Sequence, residues 1–208
     1  MLLIAFYVYW PLPLIYVITG LYDVLRQNSK DKKFLLYQYF LVNGTLAWLF
    51  SPINAIIDIL CIPFYNKQVY SLNDLPQKHI AEITKIIAEC PRSFLISSIN
   101  SLSLSQGRSM LMYKWYGFNV ENEYAVPLFH QNFDKILTIG VSSFKAQTST
   151  TKHFGWLRAG IRVLINIDDS VDEGAYIEVN DKTHVWKRDG QIYIFDDTVL
   201  HISHNLNV

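Results

Sequence analysis

Residues 161–197, IRVLINIDDSVDEGAYIEVNDKTHVWKRDGQIYIFDD, contain the pattern that decides the fold. Four short runs in this stretch, IRVLINI, AYIEVN, THVWK and QIYIF, are rich in β-branched and aromatic residues, which favour strands. Turn sequences such as DEG and KRDG separate these runs. Regular short strands with few helices between them predict an antiparallel sandwich or barrel.

Upstream of these strands, the sequence predicts a helix followed by a polar loop. The run that begins at His79, HIAEITKIIAEC, repeats isoleucine with the 3.6-residue period of a helix, and Pro91 is expected to end it. The next segment, residues 98–109, is small and polar and predicts a loop.

The overall composition favours contact with a membrane. The chain has 208 residues, with 18 Lys and Arg against 18 Asp and Glu, so no basic excess is available to bind nucleic acid. Charged residues make up 17%, below the roughly 25% of soluble domains, and the mean hydropathy is +0.14. The two cysteines, Cys61 and Cys90, form no disulfide framework.

Residues 1–22 carry no charged side chain and are long enough to form a transmembrane helix. No basic segment precedes them and no small-residue cleavage site follows, which argues against a cleaved signal peptide. The alternative is a buried N-terminal helix of a soluble protein.

The basic residues after this stretch predict its orientation. Arg26, Lys30, Lys32 and Lys33 would stay in the cytoplasm, which predicts a single-pass protein whose folded domain is cytoplasmic. Residues 1–33 would then be the anchor and its basic linker, and residues 67–208 the folded domain. The apolar residues 34–66 are expected to lie in the membrane interface, with a second crossing as the alternative.

Histidines are the candidate functional residues. No Walker A, G-x-S-x-G, H-E-x-x-H or Cys-x-x-Cys motif occurs. His153 follows a polar run, and His201 and His204 follow the strand IYIFDD. Two histidines on strands of a small barrel can hold a metal ion together, but spacing alone identifies no third ligand.

Three motifs connect these histidines with a known family. The segments H153-F-G-W-L-R-A-G-I-R162, W186-x-x-x-G190 and F195-D-D-T-V-L-H201 resemble the aspartyl/asparaginyl β-hydroxylases. These enzymes are Fe(II)- and 2-oxoglutarate-dependent dioxygenases. The resemblance covers residues 111–208. Residues 51–76, which precede this range, and residues 112–118, near its start, are similar to the bacterial lipid A acyl-chain hydroxylases, which are also membrane-tethered.

This resemblance implies a mainly β fold, a double-stranded β-helix of the jelly-roll or cupin-like type, and a set of site residues. His153 and His201 match the iron ligands, and Arg162 matches an arginine that binds a carboxylate of 2-oxoglutarate. Ser142 matches a serine that binds this cosubstrate, although Ser143 could take its place in another register. Asp196 and Asp197 would organise the surroundings of the iron, or else form an ordinary solvated turn.

The sequence also departs from the family pattern. Many such oxygenases carry an acidic ligand where Gly155 stands, whereas part of the family has glycine there and binds iron through two histidines and water. Gln147 replaces a glycine, and Leu164 replaces a histidine. The family has a second cosubstrate arginine about ten residues after its second iron histidine, and the seven residues after His201 contain none. The closing strand and its arginine are therefore expected to be absent.

These observations predict a membrane-anchored dioxygenase that uses Fe(II), 2-oxoglutarate and O₂ to hydroxylate a C–H bond of a lipid acyl chain. Its partners would be membrane lipid and 2-oxoglutarate, with no nucleic acid. Two alternatives stay open. One is hydroxylation of an Asp or Asn side chain in a protein, and the other is a truncated, non-catalytic relative that acts as a binding protein.

Overall fold

A computed structural model of the chain describes residues 11–61, 67–102, 107–169 and 172–207. Residues 1–10 of the predicted anchor lie outside this range. The N-terminal half is helical, with α1 at Pro11–Leu25, α2 at Lys32–Tyr37 followed by a π-helical turn at Gln38–Val42, α3 at Thr45–Cys61, α4 at Gln77–Glu89 and α5 at Arg92–Ser101. A short α6, Trp186–Asp189, lies among the later strands.

The described strands form three antiparallel sheets. The first has the order β1-β9-β6, the second β5-β10-β7-β8 and the third β3-β2-β4. Their bounds are β1 Val69–Tyr70, β2 Arg108–Trp115, β3 Phe118–Asn119, β4 Ile139–Phe144, β5 Thr148–Ser149, β6 Ile161–Ile165, β7 Ala175–Val179, β8 Lys182–Val185, β9 Ile192–Asp196 and β10 His201–Asn205.

The antiparallel strands predicted from the sequence are confirmed, but the chain is not mainly β. Helices account for 41% of the structure and strands for 24%. The excess of helix arises in the apolar N-terminal segments and in α4 and α5, which Pro91 separates as predicted. The described strands do not by themselves establish the double-stranded β-helix, which stays an expectation from the family resemblance.

No helix in the described part of the chain is long and apolar enough to cross a bilayer alone. Only the segments Lys32–Val42 and Thr45–Cys61 reach the required length and composition, and only when they are combined across a bend of 102°. Of the predicted span, the structure describes the helix Pro11–Leu25, whose 15 residues are fewer than a single crossing needs.

Two of the four basic residues that predicted the orientation have structural partners. The Arg26 side chain is buried and lies 3.0 Å from the Asp196 carboxylate. Lys32 donates to backbone carbonyls of Val24, Leu25 and Gln27 at the end of α1. Since internal contacts account for these two charges, they are weak markers of membrane orientation.

Helix α3 has its polar side chains directed inward and its apolar side chains directed outward. Ser51, Asn54 and Asp58 are buried, although Asp58 is ionisable. The exposed apolar side chains follow the opposite face, each between 48% and 77% accessible: Leu46, Leu49, Ile53, Ile56, Ile59 and Leu60. This arrangement is the reverse of an ordinary surface helix in water.

The inward polar residues of α1 and α3 meet a single buried arginine. The Arg158 guanidinium is 2% exposed and forms ion pairs with Asp23 of α1 at 2.7 Å, with Asp58 of α3, and with Asp196 of β9 at 3.5 Å. Arg26 adds a second cation beside Asp196 and Asp23. Three carboxylates and two guanidinium groups therefore join the helices to the β-sheets.

Helices α1 and α2 and the π-helical turn pack against both segments that carry the predicted metal-binding histidines. Val24, Leu35 and Tyr39 form one core cluster with Phe154 and Leu200. Phe154 directly follows His153, and Leu200 directly precedes His201. The helical layer thus fixes the positions of two segments that are far apart in the sequence.

We predict that Arg158→Met lowers the free energy of unfolding by about 3–5 kcal/mol, because it leaves buried carboxylates without their partner. Arg92→Met is the matched control, since Arg92 is partly exposed and pairs with Asp169 only at 3.7 Å. That substitution should cost less than about 1 kcal/mol. Denaturant unfolding followed by circular dichroism measures both changes, and equal stability of the two variants would contradict the role assigned to Arg158.

Candidate active site

The structure brings His153 and His201 together. The two residues form an antiparallel bridge in which the His153 amide donates to the His201 carbonyl at 3.1 Å and the His201 amide donates to the His153 carbonyl at 3.0 Å. Their ring centroids are 4.1 Å apart. The pair selected from the sequence is therefore a pair of neighbours in space.

Both imidazole rings are held with the same nitrogen available. His153 Nδ1 lies 2.7 Å from the Thr151 carbonyl oxygen, and His201 Nδ1 lies 2.8 Å from the Val199 carbonyl oxygen. Because a carbonyl can only accept a hydrogen bond, each Nδ1 carries a proton, and Nε2 is the ring nitrogen through which each histidine could bind a metal ion. This is the orientation in which metal-binding histidines are usually held.

His201 is kept neutral by its surroundings. Burial lowers the pKa of His201 to about 3, and the neighbouring His153 lowers it further. Its Nε2 atom is buried and has no hydrogen-bond partner in the described part of the chain. A neutral imidazole with an unsatisfied, buried nitrogen is suited to coordinate a metal ion.

Asp197 and Arg162 lie beside this pair. The Asp197 carboxylate is 3.4 Å from His201 Nε2, and Arg162 contacts both of its oxygens, at 2.8 and 2.9 Å. Burial raises the pKa of Asp197, and the Arg162 charge opposes that shift. Arg162, which was predicted to bind a carboxylate of 2-oxoglutarate, thus lies next to the histidines. Its Nε and Nη2 atoms already pair with the Asp197 carboxylate in bidentate geometry.

The contacts of Gly155 explain why this position carries no acidic side chain. A Cβ atom there would lie 2.4 Å from Asp197 Oδ2 and 2.7 Å from the Asp197 backbone oxygen. The Gly155 amide also donates to that oxygen at 2.7 Å. The Asp197 carboxylate therefore occupies the space that a side chain at position 155 would need.

Asp196 and Asp197 do not form an ordinary solvated turn. Asp196 is 3% exposed and faces Arg26 and Arg158, and it accepts hydrogen bonds from both the amide and the hydroxyl of Thr198. Asp197 is directed toward His201 and Arg162. The two adjacent acids thus connect the buried ion cluster with the histidine pair.

The remaining predicted residues lie on separate strands. Ser142 is on β4 opposite Met110 of β2, and Ser143 is next to it opposite Ser109. No described contact joins Ser142 to the histidine pair. His204 faces away from the pair, since it contacts Ser149 at 2.7 Å and stacks on Tyr176.

The described residues contain no group of three or more His, Cys, Asp or Glu side chains arranged to hold a metal ion. The donor set is the two imidazole nitrogens of His153 and His201, with Asp197 beside them. This fits the two-histidine iron site that the sequence resemblance implies, in which water takes the place of a carboxylate ligand. The residues present therefore fit an iron ion.

A family model described as aspartyl/asparaginyl beta-hydroxylase matches residues 80–207, which include the whole site. The chain belongs to the aspartyl/asparaginyl β-hydroxylase family. Comparison with curated proteins and with solved structures finds no significant match. Membership of this hydroxylase family supports an enzyme, and the match does not distinguish the lipid A branch from the others.

Sequence reasoning missed the role of Arg158. Its position in the motif gave no indication that it is buried. Asp23 and Asp58 could have indicated a buried cation, because they are isolated acids in otherwise apolar segments. Buried acids of this kind require a cationic partner from elsewhere in the chain.

We predict that the protein binds one Fe(II) or Mn(II) ion, and that His153→Ala and His201→Ala each abolish binding by removing one imidazole ligand. His204→Ala is the matched control, because His204 lies three residues after His201 on the same strand but faces away from the site. Elemental analysis of the purified proteins measures the metal content. Unchanged content in both site variants would show that the metal, if any, binds elsewhere.

Proposed function

We propose that the protein is an Fe(II)- and 2-oxoglutarate-dependent dioxygenase that hydroxylates a C–H bond. The observation that carries this proposal is the pairing of two imidazoles, with His201 Nε2 unsatisfied, beside an arginine that already binds a carboxylate in bidentate geometry. Iron, when bound, supplies the oxidation in which O₂ and 2-oxoglutarate become succinate and CO₂ while one oxygen atom enters the substrate.

The side chains of this chain have distinct roles in that reaction. His153 and His201 would hold the metal through Nε2, while the carbonyls of Thr151 and Val199 fix their rings. Arg162 would orient 2-oxoglutarate by donating hydrogen bonds to one of its carboxylates in place of the Asp197 carboxylate. Asp197 would then be free to accept a hydrogen bond from water beside His201.

The direct test is conversion of 2-oxoglutarate to succinate by the purified full chain under air. We expect turnover with added Fe(II), none with Fe(II) omitted and a chelator present, and none in His153→Ala. His204→Ala should retain most of the activity. A wild-type protein that binds iron but neither binds nor converts 2-oxoglutarate would contradict the proposed function and would favour a non-catalytic relative.

We further propose that helices α1–α3 dock on the cytosolic leaflet of a membrane. The support is the reversed polarity of α3, whose apolar residues face outward while Asn54 and Asp58 face the β-sheets. Exposed apolar side chains continue over α1 and over the segment Lys32–Val42. A bilayer covers such a broad apolar surface without requiring a span, and docking at this leaflet keeps the site near cytosolic 2-oxoglutarate and reduced iron.

This placement favours a lipid acyl chain as the substrate. Trp156, three residues after His153, is 47% exposed and contacts the Phe50 ring of α3 with centroids 5.6 Å apart. The Asn54 side chain donates to the Trp156 carbonyl and so fixes this segment against α3. The segment that follows His153 is therefore joined to the apolar helical surface, which suits a substrate held in the membrane.

We predict that the protein co-sediments with phospholipid vesicles and that the double substitution Leu49→Glu and Ile56→Glu reduces the bound fraction at least about tenfold, because it places two charges on the outward face. The control is Phe118→Glu, which alters an even more exposed apolar residue on β3. Equal vesicle binding by both variants would contradict membrane docking by this surface. Assembly of the wild type into soluble dimers that do not bind vesicles would contradict it as well.

A further inference from the structure

The third sheet presents an open face that contains Ser142. In the antiparallel pairing of β2 with β4, Met110 lies opposite Ser142 and Arg108 lies opposite Phe144. Alternate residues of β2, Leu111 and Tyr113, are directed into the core. Because side chains alternate across a strand, Arg108 and Ser142 lie on the same face, in diagonal positions on neighbouring strands.

Arg108 reaches this face without an acidic partner among the described residues. Its guanidinium carbon lies 5.2 Å from the Phe144 ring centroid, and one of its nitrogens lies 3.8 Å from Met110 Sδ. These contacts position the side chain but do not neutralise its charge. An arginine that is held in place without a counterion is available to bind an anion.

Arg162 lies close enough to Arg108 for the two charges to interact. Burial lowers the pKa of Arg108, and the Arg162 charge lowers it further. Repulsion between two guanidinium groups is relieved when an anion binds between them. The two arginines belong to different sheets, with Arg162 on β6 and Arg108 on β2. A dicarboxylate would satisfy both.

We propose that Arg108, together with Ser142, binds the carboxylate of 2-oxoglutarate that Arg162 does not bind. This inference rests on the proposed function. It makes Arg108 the residue that selects a dicarboxylate over a monocarboxylate. The sequence did not indicate this role, because Arg108 lies at the start of β2, far from the motifs that carry the histidines.

The test compares two ligands that differ only in this carboxylate. Calorimetry on the Mn(II)-loaded full chain, without O₂, gives the affinity for 2-oxoglutarate and for 2-oxopentanoate, which has the same carbon chain but only one carboxylate. We expect Arg108→Gln to weaken 2-oxoglutarate binding about 30-fold or more while the affinity for 2-oxopentanoate stays within about twofold of the wild-type value. Arg92→Gln, at an arginine of α5, should change neither affinity.

Equal weakening of both ligands by Arg108→Gln, or no effect on 2-oxoglutarate, would overturn the assignment of Arg108 while leaving the proposed function intact. Failure of the wild-type protein to bind either 2-oxo acid would overturn the proposed function and this inference with it. Retained binding of 2-oxopentanoate by Arg108→Gln also shows that the variant is folded.

Discussion

The buried guanidinium of Arg158 is the interaction on which the rest of the structure depends. It pairs with acids from α1, α3 and the end of β9, and so joins three elements that are distant in the sequence. Without it, α1 and α3 would bury carboxylates against the sheets with Arg26 as the one remaining described cation in contact with them. Desolvating those charges would cost more than their packing could offset. The helices and the sheets therefore depend on each other for stability.

The candidate active site depends on the same interaction. Asp196 belongs to the buried cluster, whereas Asp197, the next residue, contacts His201 and Arg162. The core cluster of Val24, Leu35 and Tyr39 holds the residues adjacent to both histidines. A helical layer whose outward face is apolar is thus packed directly against the candidate site. The proposed membrane contact and the proposed chemistry therefore belong to one packed unit.

The sequence predicted the strands and the histidine pair because strand composition and the spacing of the motif are local signals. It could not predict that Arg158 is buried, that Arg26 and Lys32 have internal partners, or that α3 turns its polar residues inward, because each depends on contacts between distant segments. Position 147 shows both what the sequence indicates and what it does not. The backbone of Gln147 is left-handed, with φ of 57°, and the sequence already shows that the family's glycine is absent there. It does not show the compensating hydrogen bonds that the Gln147 side chain donates to the carbonyls of Leu206 and Asn207.

The most direct test of the central claim is a crystal structure of the full chain with Mn(II) and 2-oxoglutarate, with data collected at the manganese absorption edge. The account predicts one strong anomalous peak at about 2.1 Å from the Nε2 atoms of His153 and His201, with the 2-oxoglutarate carboxylate on Arg162 in place of Asp197. A peak located elsewhere, or no peak while Arg162 still pairs with Asp197, would contradict the account.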